Sequence, residues 1–403
     1  MPTNTMTFNQ VSTLLNAIQQ QATGQTGIVA TNTSDFVSVA NTVLQTGMDP
    51  VLNAINQVLT RTIFSIRPYT RKFGIVEVPE SAYGNHIRKI SIADKPVLDD
   101  NRYKWPIAYD AGQSPADGDG QVPPSMYQQN KPKVLQTNFY GVNVWSDAYP
   151  IYKDQLEASF RSPDELSQFL TMVTQNMVDK LEQCREDMGR ACVANFIGGL
   201  IDENASDRVV PLLTLYNTAT GLSLTATQVM QPVNYRPFMQ WAMAYIMTVS
   251  DMMTERSLAM QTVVNSLPVM RHTPKERQKL MLFAPSMNTF RTSAAANTYH
   301  DELLALGGFE AVNFWQSIDT PDTISVTPGR IGSNGAVVTG SPVVQNAVFG
   351  VLFDEEALGY ATTQQWSAPT PFDPRNAISQ VWLHETQRLW NDHSEKGVVF
   401  LLA

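Results

Sequence analysis

Two histidines and three carboxylates near the end of the chain, His384, Glu385, Asp392, His393 and Glu395, are the residues best suited to chemistry. Imidazole nitrogens and carboxylate oxygens together form the donor set of many metal centres, so the cluster raises a metal-dependent enzyme. Its spacing argues against one. On a strand His384 and Glu385 point to opposite faces. Asp392, His393 and Glu395 fall in the turn-forming run Asn391 to Gly397, where polar side chains are expected to be solvated. The expectation is a solvated turn. No catalytic, cofactor-binding or metal-ligating residue is assigned.

The remaining reactive side chains read in the same way. His272 with Lys275, Glu276 and Arg277 is expected to be a solvated loop or helix start, and His300 with Asp301 an exposed pair. Cys184 and Cys192 lie on one expected helix, about 12 Å apart at ~1.5 Å per residue, whereas a disulfide needs α-carbons within about 7 Å. They cannot pair with each other and are read as small packing residues. The chain has no phosphate-binding Gly-x-x-x-x-Gly-Lys-Ser/Thr loop, no Gly-x-Gly-x-x-Gly turn, no Gly-x-Ser-x-Gly elbow and no His-Glu-x-x-His helix. The methionines 239, 243, 247, 252 and 253 are expected to pack a core, with a plasticity suited to subunits in slightly different environments.

The elements around these residues are sharper than the chemistry. Ser162-Pro163-Asp164-Glu165 is a complete helix start: a capping serine, proline at the first helical position, and a glutamate placed to close a capping box worth on the order of 1 kcal/mol. Leu166, Leu170, Val173, Met177, Leu181, Cys184, Met188 and Ala191 then recur in steps of three and four. Gln168, Gln175, Asp179, Glu182 and Glu186 take the other side, which is expected to face away from the subunit's own sheet. Glu186 and Arg190 form an i,i+4 pair. The pattern predicts a helix from Ser162 to Gly198-Gly199, roughly 36 residues or about 54 Å, three times the usual length.

Before this helix, the stripe Val11, Leu14, Leu15 and Ile18 predicts one short amphipathic helix. Asp49-Pro50 starts a second through Leu52, Ile55, Val58 and Leu59. Asp35 and Asp49 are the only charged residues before Arg61, so this segment is read as an arm across a neighbour or as helices packed on their own domain. His86 to Ile92 and Thr137 to Trp145 read as strands, joined by an extension whose core, Asp110 to Pro124, is too rich in Gly, Pro and Asp for regular structure.

Beyond the long helix, residues 236–256 read as a Met-rich helix and Leu280 to Phe283 as a strand, with Ala284-Pro285-Ser286 capping a further helix. Pro321 to Pro342 is turn-rich. Val348 to Phe353 reads as a strand before a helical turn at Asp354 to Glu356. Ser379 to Trp390 is a strand with Val381, Leu383 and Leu389 on one face and Trp382, His384 and Trp390 on the other. Val398 to Leu402, apolar on both faces, is expected to be buried.

The totals fit a large assembling protein. With 403 residues the chain exceeds one ordinary core. It is 43% hydrophobic and only 16% charged, and charge is depleted where surface meets protein. Its 28 basic against 37 acidic residues, net −9, lack the footprint of a dedicated nucleic-acid binder. No signal peptide or apolar run of about 18 residues occurs, so no membrane partner and a cytoplasm-like compartment are expected.

This order of parts resembles the major capsid proteins of tailed phages, with the Hong Kong 97-type α+β fold. The resemblance implies an N-terminal arm over 1–80, an E-loop hairpin over 81–149 reaching over a neighbouring subunit, and a peripheral domain over 150–230 containing the spine helix (about 162–198). An axial domain over 231–345 and a C-terminal return over 346–403, carried by Val348-Phe-Gly-Val-Leu-Phe353 and Trp390 to Leu402, complete it. It further implies a shell protein and not an enzyme, assembled in a host cytoplasm as hexamers and pentamers into an icosahedral virion capsid around double-stranded DNA, without cofactors. Portal, scaffolding and decoration proteins are the expected partners, with only weak, non-specific contact to DNA. A chain kept whole from Met1 in the particle would need a separate scaffolding protein. The rival within the same fold is an encapsulin-like compartment. Some family members cross-link a Lys of the E-loop to an Asn of the peripheral domain; Lys89, Lys95 and Lys104 are the lysines so placed here, and that chemistry is not carried over.

Overall fold

The computed structural model describes residues 8–24, 33–45, 50, 73, 87–93, 133–295 and 309–402. The helix expected after Asp49-Pro50, the run 110–124, the pair His300–Asp301, and Lys95 and Lys104 lie outside these residues.

Two short helices, α1 (Phe8–Thr23) and α2 (Thr33–Gln45), open the chain. The apolar stripe of α1 is buried at Val11, Leu15 and Ile18, and it packs with Phe36, Val39 and Val43 of α2. Ile151, Leu156, Phe160, Leu166, Phe169 and Val381 complete this core. The two helices therefore bury their apolar faces on their own chain.

Strands β1 (Ile87–Ile92) and β2 (Val134–Phe139) pair antiparallel, Ile87 opposite Phe139 and Ile92 opposite Val134. The expected single strand Thr137 to Trp145 is two, because the backbone breaks at Tyr140 and resumes as β3 (Gly141–Tyr152). A β-carbon at Gly141 would lie 2.7 Å from the Leu389 carbonyl oxygen, so the chain enters its new sheet where only glycine fits.

A short α3 (Lys153–Ser159) leads to the long helix α4 (Pro163–Glu203). Ser162 is extended and its hydroxyl accepts from the Glu165 amide at 3.3 Å, with Pro163 in the first turn. The helix does not stop at Gly198-Gly199. It runs 41 residues to Asn204, which adopts the left-handed conformation at φ 50° and donates its N–H to Leu200 and Ile201, a helix about 61 Å long. The glycine pair marks close packing instead. A β-carbon on Gly198 would meet Val326 Cγ1 at 2.5 Å, and one on Gly199 would meet His393 Nε2 at 2.2 Å. The expected division into an apolar and a polar side also fails past its middle. Glu186 and Arg190 are buried, and Cys192 to Leu200 is buried on all sides except at Asn195.

After α4 come β4 (Val209–Pro211), α5 (Leu212–Thr220), α6 (Ala226–Val229) and α7 (Pro232–Thr254), the Met-rich helix. Then follow β5 (Gln278–Phe283), α8 (Ala284–Ala295), β6 (Phe309–Val312) and the short strands β7 (Ile324–Val326), β8 (Gly329–Ile331), β9 (Val337–Thr339) and β10 (Val343–Gln345). The chain closes with β11 (Val348–Asp354), β12 (Leu358–Pro369), β13 (Ile378–Asn391) and β14 (Gly397–Leu401). Met239, Met243 and Met253 pack the core, whereas Met247 and Met252 are exposed, which divides the methionines. Among the described residues no helix is long and apolar enough to cross a membrane.

A central sheet in the order β4-β14-β11-β5-β6 lies between α7 and the second half of α4. Strand β14 shows why its sequence is apolar throughout: Val398 and Phe400 join the α7 core, while Val399 and Leu401 join the α4 core. A second sheet, β12-β13-β3, packs on the same helix, α4, through β12 and β13. The turn from β13 to β14 thus lies where both sheets and the long helix meet.

Candidate functional site

That turn holds three of the five residues first considered for chemistry, and it is not solvated. Asp392, His393 and Lys396 are 0% exposed, and Ser394 and Glu395 are 4% exposed. The loop is buried because its neighbours supply a partner for its backbone at each step. Asp392 N–H donates to Ala357 O, Thr262 N–H to His393 O, Asp354 N–H to Lys396 O, and Gly397 N–H to Met260 O. Inside the turn, the Ser394 amide and hydroxyl both donate to Asp392 Oδ1, at 2.9 and 2.6 Å, a local Asx-type bond that competes with extended structure.

Arg208, 1% exposed, braces the turn from below. Its guanidinium donates to the carbonyls of Gly397 (3.2 Å), His393 (3.1 Å) and Glu395 (3.4 Å), and to Glu203 and the Thr262 hydroxyl at 2.7 Å each. Five donors in a rigid fork suit such a task, and lysine has no equivalent. The His393 ring stacks on Phe196 at 5.0 Å and lies over Gly199. Burial, and then the charge of Arg208, hold its pKa down to about 4, so it is neutral at ordinary pH. Lys396 donates to Glu255 O and the Ser257 hydroxyl at 2.9 Å each.

The outer side of the turn is electrostatic. Glu395 is ion-paired with both Lys89 of β1 and Arg271. Lys89 also lies 3.2 Å from Asp392 and 3.4 Å from Glu356. Burial opposes its charge, yet Asp392 and Glu395 outweigh burial and raise its pKa above the ordinary lysine value. Arg271 donates to the hydroxyls of Ser91 and Ser394, both at 3.2 Å, tying ribbon and turn together.

His384 and Glu385 do point to opposite faces. His384 stacks on Trp366, 4.0 Å between ring centres, and the Trp382 ring lies 6.1 Å away, nearly parallel to it. Glu385 is 0% exposed and faces α4, where Arg185 holds it through two bonds of 3.0 and 3.1 Å. Gln387 and Thr362 donate to the same carboxylate, at 2.7 and 3.1 Å. The five residues thus divide between a stacked aromatic row, a sheet-to-helix ion pair and the braced turn. Among the described residues no three His, Cys, Asp or Glu side chains are placed to share a metal ion. His272 is exposed, as expected of a solvated loop. Burial pushes the Cys192 thiol up to about 12, and Cys184 is half-buried, so both are thiols at neutral pH.

The Glu186–Arg190 pair expected from its spacing closes at 2.6 Å, buried. Arg190 lies between the rings of Phe73 (4.6 Å) and Phe314 (3.8 Å), while the Phe73 amide donates to Glu186 at 3.1 Å. Sequence reasoning missed Arg271, the partners of Lys89 and, Glu203 apart, the partners of Arg208, which lie from 54 to 306 positions away in the chain. No short-range pattern could have paired them.

The contacts described at this turn hold the fold together, and the comparisons with known proteins point the same way. A family model described as Phi29-like phage major capsid protein matches residues 15–401. Among solved structures, a chain from the capsid of Staphylococcus phage Andhra is 11% identical, with a TM-score of 0.54 over 85% of this chain and 87% of that one. A chain from the structure of the head fiber and inner core protein gp22 of native bacteriophage P68 is 9% identical, with a TM-score of 0.51 over the same shares. At such identities the likeness is one of fold. No curated protein sequence matches.

Proposed function

The chain belongs to the Phi29-like phage major capsid protein family, and from that premise we propose that its copies assemble as hexamers and pentamers into an icosahedral shell around packaged double-stranded DNA. The family is one of structural proteins, so the chain is not an enzyme. The observation that carries the shell reading is a braced frame bearing uncovered apolar strands. Ile90, Ile92 and Val134 on the β1–β2 ribbon are 57%, 64% and 55% exposed, and Val142 and Val144 of β3 are 47% and 61% exposed. Surface of this kind marks protein contact.

In this reading residues 1–80 are the N-terminal arm, 81–149 the E-loop hairpin, 150–230 the peripheral domain, 231–345 the axial domain and 346–403 the C-terminal return to the peripheral domain. Each copy is then held by several neighbours, so no single contact has to be large. The net charge of −9 suits a wall that DNA must leave without sticking. The shell would be built in the host cytoplasm with portal, scaffolding and decoration proteins. Family membership favours a phage shell over an encapsulin-like compartment, and terminase, portal and tail genes beside this one would separate the two. Electron microscopy of the purified protein tests assembly: closed shells or rings of six are expected, and a stable monomer of 44.7 kDa at high concentration would overturn it.

A further inference from the structure

Asn334-Gly335 is the only Asn-Gly pair in the chain, and it forms the tip of the β8–β9 hairpin. The tip is closed by Gly335 N–H on Gly332 O and by Gly332 N–H on Ala336 O, both at 2.9 Å. Gly335 is left-handed at φ 74°, and a β-carbon there would lie 2.9 Å from the Asn265 carboxamide. Turn and packing both call for glycine, so the fold keeps a residue without a side chain directly after Asn334.

That glycine bears on chemistry. With no β-carbon in the way, its backbone nitrogen can reach the carboxamide carbon of Asn334 and close a succinimide ring. Ala336 N–H already donates to Asn334 Oδ1 at 3.0 Å, which folds the side chain back over its own turn. The same donor lies on the oxygen where negative charge develops when the carbon is attacked. Residues 333–337 are all exposed, so water and hydroxide reach them.

The restraints on the reaction are the bond from Gly335 N–H to Gly332 O and that from Asn265 N–H to Ser333 O at 2.7 Å. Both lie at the end of a ribbon whose strands have three residues each and, among the described residues, form a sheet of their own. Such a ribbon is marginal in water, and its tip belongs to the part of the molecule that opens most easily. The root is held. Asn195 of α4 bonds the N–H and C=O of Gly329 at 2.8 and 3.0 Å, and Asp202 accepts from Arg330 and from the Ser341 amide at 2.7 and 3.0 Å. Opening is therefore confined to the tip.

We propose that Asn334 is a self-modification site, converted to aspartate and isoaspartate within the folded chain. The Gly335 nitrogen gives its proton to hydroxide and bonds to Asn334 Cγ; the Cγ–Nδ2 bond breaks, and the nitrogen takes a proton from water and leaves as ammonia. Water then opens the succinimide. Cleavage at Cγ gives aspartate, and cleavage at the backbone carbonyl gives isoaspartate, whose main chain runs through Cγ. Each conversion adds one negative charge to the −9 of the chain, and isoaspartate lengthens the tip so that it no longer closes on Gly332. The inference concerns a single chain and does not depend on how copies assemble.

Full-length protein held in warm, mildly alkaline, native buffer, then digested at mildly acidic pH and read by mass spectrometry, tests it. The peptide carrying Asn334 should exchange its NH2 for OH and contain isoaspartate, while the amides of β14 stay protected from hydrogen exchange. Asn334→Gln, whose longer side chain needs a larger ring, should abolish the change. An Asn334 that remains an amide in the folded chain, over a time in which a guanidinium-unfolded sample converts, overturns the proposal. So does conversion that keeps pace with loss of β14 protection, which would place the reaction in the unfolded chain.

Discussion

The ring of His393 rests on the backbone of Gly199, so near that a β-carbon at Gly199 would lie 2.2 Å from Nε2. Two positions 194 residues apart thus fix where the C-terminal turn meets the long helix. Replacing a helical glycine with alanine ordinarily stabilises by up to ~1 kcal/mol. Here Gly199→Ala is expected to destabilise instead, by ~1–3 kcal/mol, because the ring cannot shift without breaking its stack on Phe196. Urea unfolding reads the sign, and a more stable variant would refute the contact.

The same ring gives a pH dependence. Its folded pKa of about 4 lies below the ordinary 6.5, so the unfolded chain takes the proton first as pH falls. The stabilisation is fully present above pH 6.5 and is lost progressively toward pH 4, about 3 kcal/mol in all. His393→Phe keeps a stacking ring and removes the titration. Its unfolding free energy should change less than the parent's between pH 6.5 and 4, and equal slopes would show that other groups carry the dependence.

Glu385 and Arg185 join the second sheet to the long helix with a carboxylate that is wholly buried. Glu385→Ala leaves the guanidinium, Thr362 and Gln387 without that acceptor and should cost about 3–5 kcal/mol. The exposed pair Lys180–Asp147 connects the same two elements at 2.9 Å; Asp147→Ala there should cost under ~1 kcal/mol. Chemical denaturation of both variants tests the contrast, and similar losses would mean that burial does not set the energetics.

Leu181 lies on the buried face of the long helix, 7% exposed. Leu181→Asp should prevent folding, with a loss beyond ~3 kcal/mol from the vacated volume and the unpaired charge. Gln183→Asp, on the exposed side two residues on, should fold and assemble. Soluble yield and circular dichroism separate failure to fold from failure to assemble.

Local signals settled local structure. Ser162 and Pro163 set the start of the long helix because capping is decided within one turn, and the Glu186–Arg190 pair followed from helical spacing alone. Val398 to Leu402 could be read as a two-sided buried strand because the absence of alternation is itself a pattern. The class of fold was legible from the order of such elements.

What the sequence could not decide was which polar residues would be buried. Asn391 to Gly397 has the composition of a solvated turn, and Gly198-Gly199 that of a helix end. Both readings reversed once the turn was seen packed against the glycines with Arg208 beneath it and Lys89 above. A polar group is buried only where its hydrogen bonds and charge are met, and here the groups that meet them come from positions 89, 208, 262, 271 and 354. Composition and periodicity describe neighbours along the chain. These partners become neighbours only when the two sheets close on the long helix, so the tertiary fold alone turned a solvated loop into the centre of the frame.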